Sequence, residues 1–567
     1  MLRWNRCAAL AALVCTLPAR AQTNVLLLLA DDLGVDRVGA YAAVPDPGHT
    51  PVIDSLAAQG VLFRHAWATP LCSPTRASIL TGQYPSRQGV GEPILATSDT
   101  HELWPGEVTL PRLLEPVVAC ELVGKWHLGL NQPTTLAGLG PPLQHPLACG
   151  FRSWIGTFVI LQAQVIGDGY YDWTEVVDGV QVQSTVYNTT AIVDEALQVV
   201  ASTPEPWFLD VSFNAPHTPF HKPPPQLHTF DLPPAVADDM PLHQKAAVEA
   251  MDTEIGRLLS SMDPQVLAHT LIIFAGDNGT DQHATTPPFL PEHAKGTVYE
   301  GGLGVPLIVA GPGVVAGAEC EALVSLTDLF ATIADVFGVA HPTGIDSVSM
   351  LPYFSDPAQP SLRSTMFSEW FDPLGFAPWS ERHRAARNEQ FKLMRHEVHQ
   401  NLTEEMYDLQ ADPFEQRDLL LAPLSPEAAA AYAGLAAAIA LPPEPWNMAG
   451  LGVAGTVGEP RLLGEGDLLG GTPFLLTVQD ARPSAAGILL VGLDWKGTPV
   501  AGGVIGPSIA FVIPGLVTDP QGAMQLSGSW PKGVPPGEQF VLQLWLQDDV
   551  AVHGFAATNN LVVTTPE

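Results

Sequence analysis

Acidic and amide side chains directly follow two apolar runs of the sequence. Asp31 and Asp32 come after NVLLLLA, and Asp277 and Asn278 come after TLIIFAG. A histidine, His217, lies just past a third run of this kind, WFLDVSF. Ligands of open α/β sheets bind in the crevice at the carboxyl ends of strands, so we expect these side chains to converge there. Three carboxylates and an amide oxygen make an all-oxygen site, which suits Ca²⁺ or Mg²⁺ rather than zinc.

A cysteine, Cys72, begins a second stretch with reactive side chains, CSPTRASILTG. The pattern predicts a helix with Cys72 or Ser73 as its N-cap, Pro74 in its first turn and Gly82 as its stop. Free backbone N–H groups and the helix dipole favour an anion at such an N-terminus. Arg76, one turn further on, can bind a charged oxygen there. For the cysteine taken alone, the competing interpretation is a buried side chain that only packs.

Cationic side chains stand out because the chain is strongly acidic. Its formal net charge is −34, from 25 Lys plus Arg against 59 Asp plus Glu, which argues against nucleic acid or an anionic membrane surface as a partner. Two of the few lysines, Lys125 and Lys295, lie in the stretches GKWHLG and KGTVYEGG, and the first of these also contains His127. Together with Arg76 and His217 they would form a cationic pocket in an acidic protein.

Short apolar runs bounded by loop residues predict central strands that are covered on both faces, at residues 24–30, 207–213, 270–276 and 306–311. Helical spacing is found at residues 50–60, where Thr50 is a suitable N-cap, Pro51 a first helical residue and Gly60 a stop. A second helix is predicted over residues 243–262. Alternating strands and helices predict an α/β domain with a sheet between helical layers.

The two ends of the chain differ from this pattern. Residues 1–21 have the layout of a secretory signal peptide, with Arg3 and Arg6 before an apolar run and ARA at the end. No later segment has the roughly 20 uninterrupted apolar residues of a membrane span, so we expect a secreted or periplasmic protein. From about residue 446 to residue 567, short apolar segments alternate with turn residues, which predicts an accessory β-sandwich-like domain.

Cysteine usage does not indicate a disulfide scaffold. Cleavage of the signal peptide would remove two cysteines and leave four. If Cys72 belongs to a site, the other three are Cys120, Cys149 and Cys320, which allow at most one internal disulfide.

The stretch LCSPTRASILTG resembles the signature of the formylglycine-dependent (type I) sulfatases, an arylsulfatase-like family of the alkaline phosphatase superfamily. In that family the cysteine of CxPxR is oxidised enzymatically to an aldehyde. Four further stretches are similar to family motifs in order and spacing: GKWHLG, APHTPF, FAGDNG and KGTVYEGG. The resemblance covers roughly residues 23–440 and does not reach the final β region.

The resemblance implies a fold and a domain order. The expected fold is an alkaline-phosphatase-like α/β sandwich, with a central, mostly parallel sheet between helical layers and a small C-terminal α+β subdomain. The catalytic subdomain would span residues 22–350 and the smaller subdomain residues 351–445. The all-β domain at residues 446–567 would be an addition of unknown role.

The resemblance also implies site residues, which we transfer only where the motifs match. The metal ligands would be Asp31, Asp32, Asp277, Asn278 and the modified Cys72, and the cation Ca²⁺, with Mg²⁺ as the less expected alternative. Arg76 and His127 would support the formylglycine, with His127 a candidate base. Lys125, His217 and Lys295 would bind the sulfate oxygens, and either of the last two could protonate the leaving alcohol.

The implied reaction is hydrolysis of a sulfate ester. One hydroxyl of the hydrated aldehyde attacks sulfur, and loss of a proton from the other expels sulfate and restores the aldehyde. A sulfated small molecule or glycan would be the substrate, and a formylglycine-generating enzyme would be needed for maturation. We expect the loops at residues 156–173 and 285–293 to set the choice of substrate.

Two other functions fit parts of the pattern. A phosphate or phosphonate ester hydrolase of the same superfamily would use similar chemistry on another tetrahedral oxyanion, and only relative rates on matched esters would separate it from a sulfatase. A non-catalytic glycan-binding protein on a sulfatase scaffold would be expected to have lost site residues, whereas this chain has all the principal ones.

Overall fold

The computed structural model describes residues 23–95, 101–103, 107–130, 142–161, 166–342, 345–375, 379–399, 401–440, 446–449, 452–453, 455–458, 460–500, 503–535 and 538–565. The predicted signal peptide, residues 1–21, lies outside the described residues. The domain boundaries after residues 350 and 445 stay predictions.

A ten-stranded mixed sheet lies at the centre of the large N-terminal part. Its strands are β1 (Asn24–Ala30), β2 (Gly60–Trp67), β3 (Ala119–Lys125), β4 (Ser153–Thr157), β5 (Trp173–Val177), β6 (Val180–Ser184), β7 (Trp207–Ser212), β8 (Thr270–Gly276), β9 (Leu307–Ala310) and β10 (Ala318–Ser325). Their order is β10-β2-β9-β8-β1-β7-β3-β4-β5-β6. The neighbours β8, β1, β7, β3 and β4 all run parallel, which confirms the predicted mostly parallel centre.

Helices cover both faces of this sheet, because its central strands are apolar on both faces. Along β1, Val25, Leu27 and Leu29 enter one buried core, whereas Leu26 and Leu28 enter the core on the opposite face. The described helices are α1 (Pro51–Gln59), α2 (Cys72–Thr81), α3 (Pro85–Gln88), α4 (Leu110–Leu114), α5 (His145–Ala148), α6 (Asn188–Ser202), α7 (Met240–Ser261), α8 (Pro264–Ala268), α9 (Glu300–Leu303), α10 (Leu329–Phe337), α11 (Leu351–Ser355) and α12 (Pro426–Ile439).

The predicted helices are present, and one begins earlier than expected. Helix α1 has Thr50 as its N-cap and Gly60 as its C-cap, as the sequence predicts. Helix α7 begins at Met240, three residues before its predicted start. The carboxylate of Asp239 accepts a hydrogen bond from the backbone N–H of Leu242, so a capping side chain, rather than the apolar spacing, sets this helix end.

Two antiparallel regions follow the large sheet. The first is a four-stranded sheet of β11 (Met366–Asp372), β12 (Glu381–Arg387), β13 (Phe391–Val398) and β14 (Asn401–Asp408). Helix α12 packs on one of its faces through Leu435 and Ile439. The other face packs on the large N-terminal part, where Met366, Ala385 and Met394 share a core with Trp67. This arrangement confirms the predicted small α+β unit.

The last region consists of antiparallel sheets only, which confirms the predicted all-β addition. Its strands are β15 (Trp446–Ala449), β16 (Arg461–Glu465), β17 (Pro473–Gln479), β18 (Ala486–Val500), β19 (Gly503–Val517), β20 (Met524–Ser529), β21 (Gln539–Gln547), β22 (Phe555–Ala557) and β23 (Asn560–Thr564). They form a six-stranded sheet with β22 at its side and a three-stranded sheet, around an apolar core that includes Leu462, Leu476 and Leu544.

Two further expectations concern membrane spans and disulfides. Within the described ranges, none of the helices combines the length and the apolar character that crossing a membrane would require. The four described cysteines, Cys72, Cys120, Cys149 and Cys320, are all buried and free, so none of them is in a disulfide.

Candidate active site

The register of three parallel strands brings the predicted acidic residues to one edge of the large sheet. Ala30 at the end of β1 pairs with Gly276 at the end of β8, so Asp31 and Asp277 emerge side by side. On the other side of β1, Leu29 pairs with Ser212 of β7. The chain turns sharply at Asp32, which has a left-handed backbone (φ 64°), and the backbone N–H of Asp32 donates to Asp277 Oδ1 at 3.0 Å.

The acidic cluster has the chemistry of a hard-cation site. One carboxylate oxygen from each of Asp31, Asp32 and Asp277 lies within 4.8 Å of the others, and all three residues are buried. Asp31 Oδ1 and Asn278 Oδ1 are buried, and neither accepts a hydrogen bond from any described residue. An unsatisfied buried oxygen costs free energy, so these two atoms, within or next to a cluster of three carboxylates, fit an oxygen-preferring cation such as Ca²⁺.

Cys72 is the first residue of α2 and is 1% exposed. Its Sγ lies within 4.8 Å of an oxygen of Asp31 and a ring nitrogen of His217. Burial raises the pKa of the Cys72 thiol more than Lys125 and Lys295 lower it. An unmodified Cys72 therefore stays a neutral thiol at neutral pH, which is a weak nucleophile.

The predicted cap of α2 is wrong. Leu71 occupies the N-cap position and no side chain caps the helix, so neither Cys72 nor Ser73 has that role. The Ser73 hydroxyl instead donates to the carbonyl oxygen of His127 at 2.7 Å and accepts from the backbone N–H of Ile94 at 3.1 Å. This hydroxyl holds the His127 segment beside the helix start. The predicted end of the helix at Gly82 is correct, with φ 68°.

Two buried cations, Arg76 and Lys125, and one partly buried cation, Lys295, neutralise the acidic cluster. Arg76 donates from Nε and Nη2 to Asp277 Oδ2, at 3.1 and 2.8 Å. Lys125 Nζ lies 2.6 Å from Asp31 Oδ2, and Lys295 Nζ lies 2.7 Å from Asp32 Oδ1. The site thus contains alternating charges in a water-poor setting, where each ion pair is much stronger than on the surface.

The site shifts the pKa of Asp31 and that of Asp277 in opposite directions. Burial opposes ionisation of Asp31, but Lys125, His217, Arg76 and Lys295 outweigh it and hold its pKa well below its usual range. Burial and the neighbouring Asp31 charge raise the pKa of Asp277 to about 7, although Arg76 and Lys125 oppose that rise. Asp277 therefore depends on nearby positive charge to ionise fully.

The histidines of the site, His127 and His217, differ in their hydrogen bonds. His127 has a left-handed backbone (φ 59°), and both of its ring nitrogens are buried with no hydrogen-bond partner in the part of the chain that the structure describes. Burial, followed by the charge of Lys125, lowers its pKa well below the usual value, so the ring is neutral. His217 directs Nδ1 to the carbonyl oxygen of Thr218 at 2.6 Å, and its Nε2 lies 3.7 Å from Asp32 Oδ2.

Sequence reasoning missed the residue that holds the His217 segment. The hydroxyl of Tyr170 is buried and donates to the carbonyl oxygens of Asn214 and His217, at 2.7 and 2.9 Å. Tyr170 also stacks on His221 at a centroid distance of 3.9 Å. The sequence placed Tyr170 in a substrate-selecting loop, and no local pattern indicates a contact to residues 44 and 47 positions away.

Tyr170→Phe is expected to lower stability and weaken substrate binding together. The change removes the buried hydroxyl that these two carbonyl oxygens share, at a cost of about 1–3 kcal/mol, and frees the backbone that carries His217. Tyr171→Phe is the matched control, because its hydroxyl donates to the exposed carbonyl of Lys222 and its loss should change stability by less than about 0.5 kcal/mol. Urea unfolding and steady-state kinetics measure both effects. Equal behaviour of the two variants would contradict the proposed anchoring.

Two family models match the chain. One, described as Sulfatase, matches residues 23–339, which is more than half of the 567 residues. The other, described as N-sulphoglucosamine sulphohydrolase, C-terminal, matches residues 292–431.

Individual relatives agree with these matches. The N-acetylgalactosamine-6-sulfatase of Homo sapiens is 31% identical over 373 residues, covering 58% of this chain and 65% of the relative. The steryl-sulfatase of Rattus norvegicus is 29% identical over 431 residues, covering 61% of this chain and 72% of the relative. The chain thus spans somewhat less than two thirds of the length of the N-acetylgalactosamine-6-sulfatases that it matches.

Solved structures show the same likeness. The crystal structure of Ps i-CgsB has a TM-score of 0.59 and 26% identity, covering 70% of this chain and 88% of that chain. The same protein in complex with k-i-k-neocarrahexaose has a TM-score of 0.57 and 25% identity, with the same coverage.

Proposed function

Since the chain belongs to the sulfatase family, we propose that it is a sulfuric ester hydrolase that converts a sulfate ester into an alcohol and inorganic sulfate. The observation that carries the proposal is the position of Cys72. It is buried at the start of α2, within 4.8 Å of Asp31 and His217, in a site with two buried cations and one partly buried cation. A sulfate monoester carries one negative charge spread over its oxygens, and a positive lining stabilises that charge together with the charge that develops on the leaving oxygen.

The residues present fit a bound cation and a modified cysteine. The oxygens of Asp31, Asp32, Asp277 and Asn278 would hold Ca²⁺, with the group at position 72 completing the site. Bound there, the cation would neutralise oxygen charge, and a formylglycine at position 72 would supply a hydroxyl nucleophile together with a way to release sulfate. Formation of that aldehyde requires a formylglycine-generating enzyme.

The cationic side chains of the chain would bind and orient the ester. Lys125 and Lys295 are each fixed by an aspartate at 2.6–2.8 Å, so their charges are preorganised and lose little entropy on binding. Arg76 is fixed in the same way by Asp277 and by the carbonyl oxygen of Lys125, at 3.1 Å. Lys125 and Lys295 would contact the sulfate oxygens and hold the ester in position for attack, and Arg76 would support the group at position 72.

The two histidines would have different roles in proton transfer, although burial lowers the pKa of both. His127 is neutral and both its nitrogens are unpartnered, so it can take a proton from a hydroxyl at position 72. The Nδ1 of His217 donates to a carbonyl oxygen, which leaves Nε2 directed at the cluster. His217 or the protonated Lys295 would give a proton to the leaving alcohol.

A sulfated carbohydrate is the substrate that we propose. One matched structure is described as a complex with k-i-k-neocarrahexaose, and the matched relatives include N-acetylgalactosamine-6-sulfatases. The signal-like residues 1–21 would direct such an enzyme out of the cytoplasm, to an extracellular carbohydrate substrate.

Hydrolysis of matched aryl esters tests this function. We expect the mature protein to hydrolyse 4-nitrophenyl sulfate faster than 4-nitrophenyl phosphate, to lose that activity in EDTA, and to regain it with Ca²⁺. Preference for the phosphate ester would instead indicate a phosphate or phosphonate ester hydrolase. Tight binding of sulfated glycans by mature protein that hydrolyses neither ester would indicate a non-catalytic binding protein.

A further inference from the structure

A buried charge cluster joins the start of α9 to the part of the chain that contains the four-stranded sheet. Glu300 is the first residue of α9, and its carboxylate lies 3.1 Å from Lys392 Nζ and 3.4 Å from Arg387 Nη1. Lys392 Nζ also lies 2.7 Å from Glu415 Oε1, and the backbone N–H of Glu300 donates to Glu415 Oε2. We call these four residues the Glu300 cluster.

The Glu300 cluster is shielded from water. The side chains of Lys392, Glu415 and Arg387 are 0%, 1% and 4% exposed. Lys392 Nζ lies 4.9 Å from the ring centroid of Trp67, whose Nε1 donates to Glu300 Oε1 at 3.1 Å. Burial opposes ionisation of Glu300, but Lys392 and Arg387 outweigh it and lower its pKa. Removal of one cation would therefore leave buried negative charge without compensation.

Helix α9 is in direct contact with the turn that carries two of the proposed metal ligands. The carbonyl oxygen of Gly302 accepts a hydrogen bond from the backbone N–H of Gly279 at 3.0 Å, directly after Asn278. A Cβ atom added at Gly279 would lie 1.8 Å from the carbonyl oxygen of Gly301, so the two backbones touch with no room for a side chain. The position of α9 therefore fixes the position of this turn.

The end of α9 contacts the two other segments of the site. The carbonyl oxygen of Leu303 accepts from the backbone N–H of Ala68 at 2.9 Å, in the segment between β2 and α2 that leads to Cys72. The carbonyl oxygen of Gly304 accepts from the backbone N–H of Val35 at 3.4 Å, in the turn after β1. All three segments that carry the acidic cluster and the nucleophile position thus bond to this short helix.

The segment that leads into α9 carries Lys295. Lys295 Nζ lies 2.7 Å from Asp32 Oδ1, and the backbone N–H of Gly296 donates to the carbonyl oxygen of Pro70 at 2.9 Å. Glu300 follows Lys295 by five residues, so the Glu300 cluster holds the other end of this segment. A shift of α9 would move Lys295 together with the turns at the acidic cluster.

We propose that the Glu300 cluster positions the active site from the smaller subdomain, with Lys392 as a positioning residue, an inference that rests on the proposed function. Lys392 holds two carboxylates together, those of Glu300 and Glu415, which repel each other without the ammonium group between them. Its loss releases the start of α9, and the Lys295 segment and the turn at Gly279 then lose their fixed positions. Lys392 thus acts through α9 and not through contact with the ester.

Two variants of the Glu300 cluster test this role. Lys392→Met removes the ammonium group, and we expect kcat for 4-nitrophenyl sulfate to fall about 10- to 100-fold, since small displacements of catalytic groups have effects of this size. The Kd for Ca²⁺, titrated calorimetrically into mature protein freed of cations, should rise about 10-fold. Glu300→Gln keeps an acceptor for Trp67, so kcat should fall by about 3- to 10-fold. It decides the question if Lys392→Met does not fold.

Arg384→Met is the matched control. Arg384 is a buried cation of the same four-stranded sheet, but it donates to the carbonyl oxygen of Ile439 on the face that packs against α12. Its loss should lower stability, measured by urea unfolding, and leave kcat and the Kd for Ca²⁺ unchanged. This comparison separates positioning of the site from a general loss of stability.

The outcomes also separate this role from the proposed function. Wild-type values of kcat and Kd in the variants of Lys392 and Glu300, or changes no larger than those in Arg384→Met, would overturn the positioning role alone. A mature wild-type chain that hydrolyses no sulfate ester would overturn the proposed function, and the Kd for Ca²⁺ would still test the positioning role. A wild-type chain that neither hydrolyses the ester nor binds Ca²⁺ would overturn both.

Discussion

Cys72→Ala abolishes sulfate-ester hydrolysis and leaves the fold intact, if position 72 supplies the nucleophile. Loss of the nucleophile removes an entire reaction path, so kcat should fall by about 10⁴- to 10⁶-fold. The side chain that is lost is small, and the ion pairs of Arg76, Lys125 and Lys295 do not involve it. Steady-state hydrolysis of 4-nitrophenyl sulfate and thermal unfolding measure the two quantities.

A second buried free cysteine provides the control. Cys120 is 2% exposed, lies in an apolar core, and donates from Sγ to the carbonyl oxygen of Val118 at 3.8 Å. Cys120→Ala should therefore keep its activity and lose a similar, small amount of stability. Full activity in Cys72→Ala, or equal loss in both variants, would contradict a nucleophile at position 72.

Arg76→Met is expected to destabilise the protein strongly when divalent cations are removed. The change takes two hydrogen bonds and a positive charge from the buried Asp277 carboxylate. Removal of one partner of a buried ion pair costs about 3–5 kcal/mol, because the other charge stays buried without compensation. Urea unfolding in EDTA measures this loss, and Ca²⁺ should reduce it because the cation would offset part of the same charge.

Arg64→Met is the matched control on the surface. Arg64 also pairs with a carboxylate, that of Glu319, at 2.6 Å, but the two side chains are 25% and 55% exposed. Exposed pairs contribute about 0–1 kcal/mol, so this variant should be close to the wild type with and without Ca²⁺. A loss in Arg76→Met no larger than that in Arg64→Met would contradict the account of the acidic cluster.

The central strands were the most predictable part of the fold. Strands β1 and β8 have the predicted bounds, because seven-residue apolar runs between loop residues have few other arrangements in a sheet covered on both faces. Strand direction is not contained in such runs. The run that became β9 reads like its neighbours, yet it lies antiparallel to both β2 and β8, since direction depends on the connections.

Ligands bind at the carboxyl ends of parallel strands, and this rule predicted that the acidic residues lie together at one edge of the sheet. The structure places them there because β1 and β8 are parallel and in register. The left-handed backbones of Asp32 and His127 have no comparable sequence signal. The anchoring of the His217 segment by Tyr170 depends on how distant segments dock, which apolar spacing does not encode. The sequence therefore predicts which residues lie together in the site better than it predicts the contacts that fix their positions.

The mass of the tryptic peptide that contains Cys72 tests the central claim most directly, in protein produced together with a formylglycine-generating enzyme and shown to hydrolyse 4-nitrophenyl sulfate. Conversion of the CH₂SH side chain to an aldehyde makes the peptide about 18 Da lighter than its cysteine form. We predict that this lighter peptide is present and that its fraction rises in proportion to specific activity across preparations. Active protein in which position 72 is entirely unmodified cysteine would contradict the account.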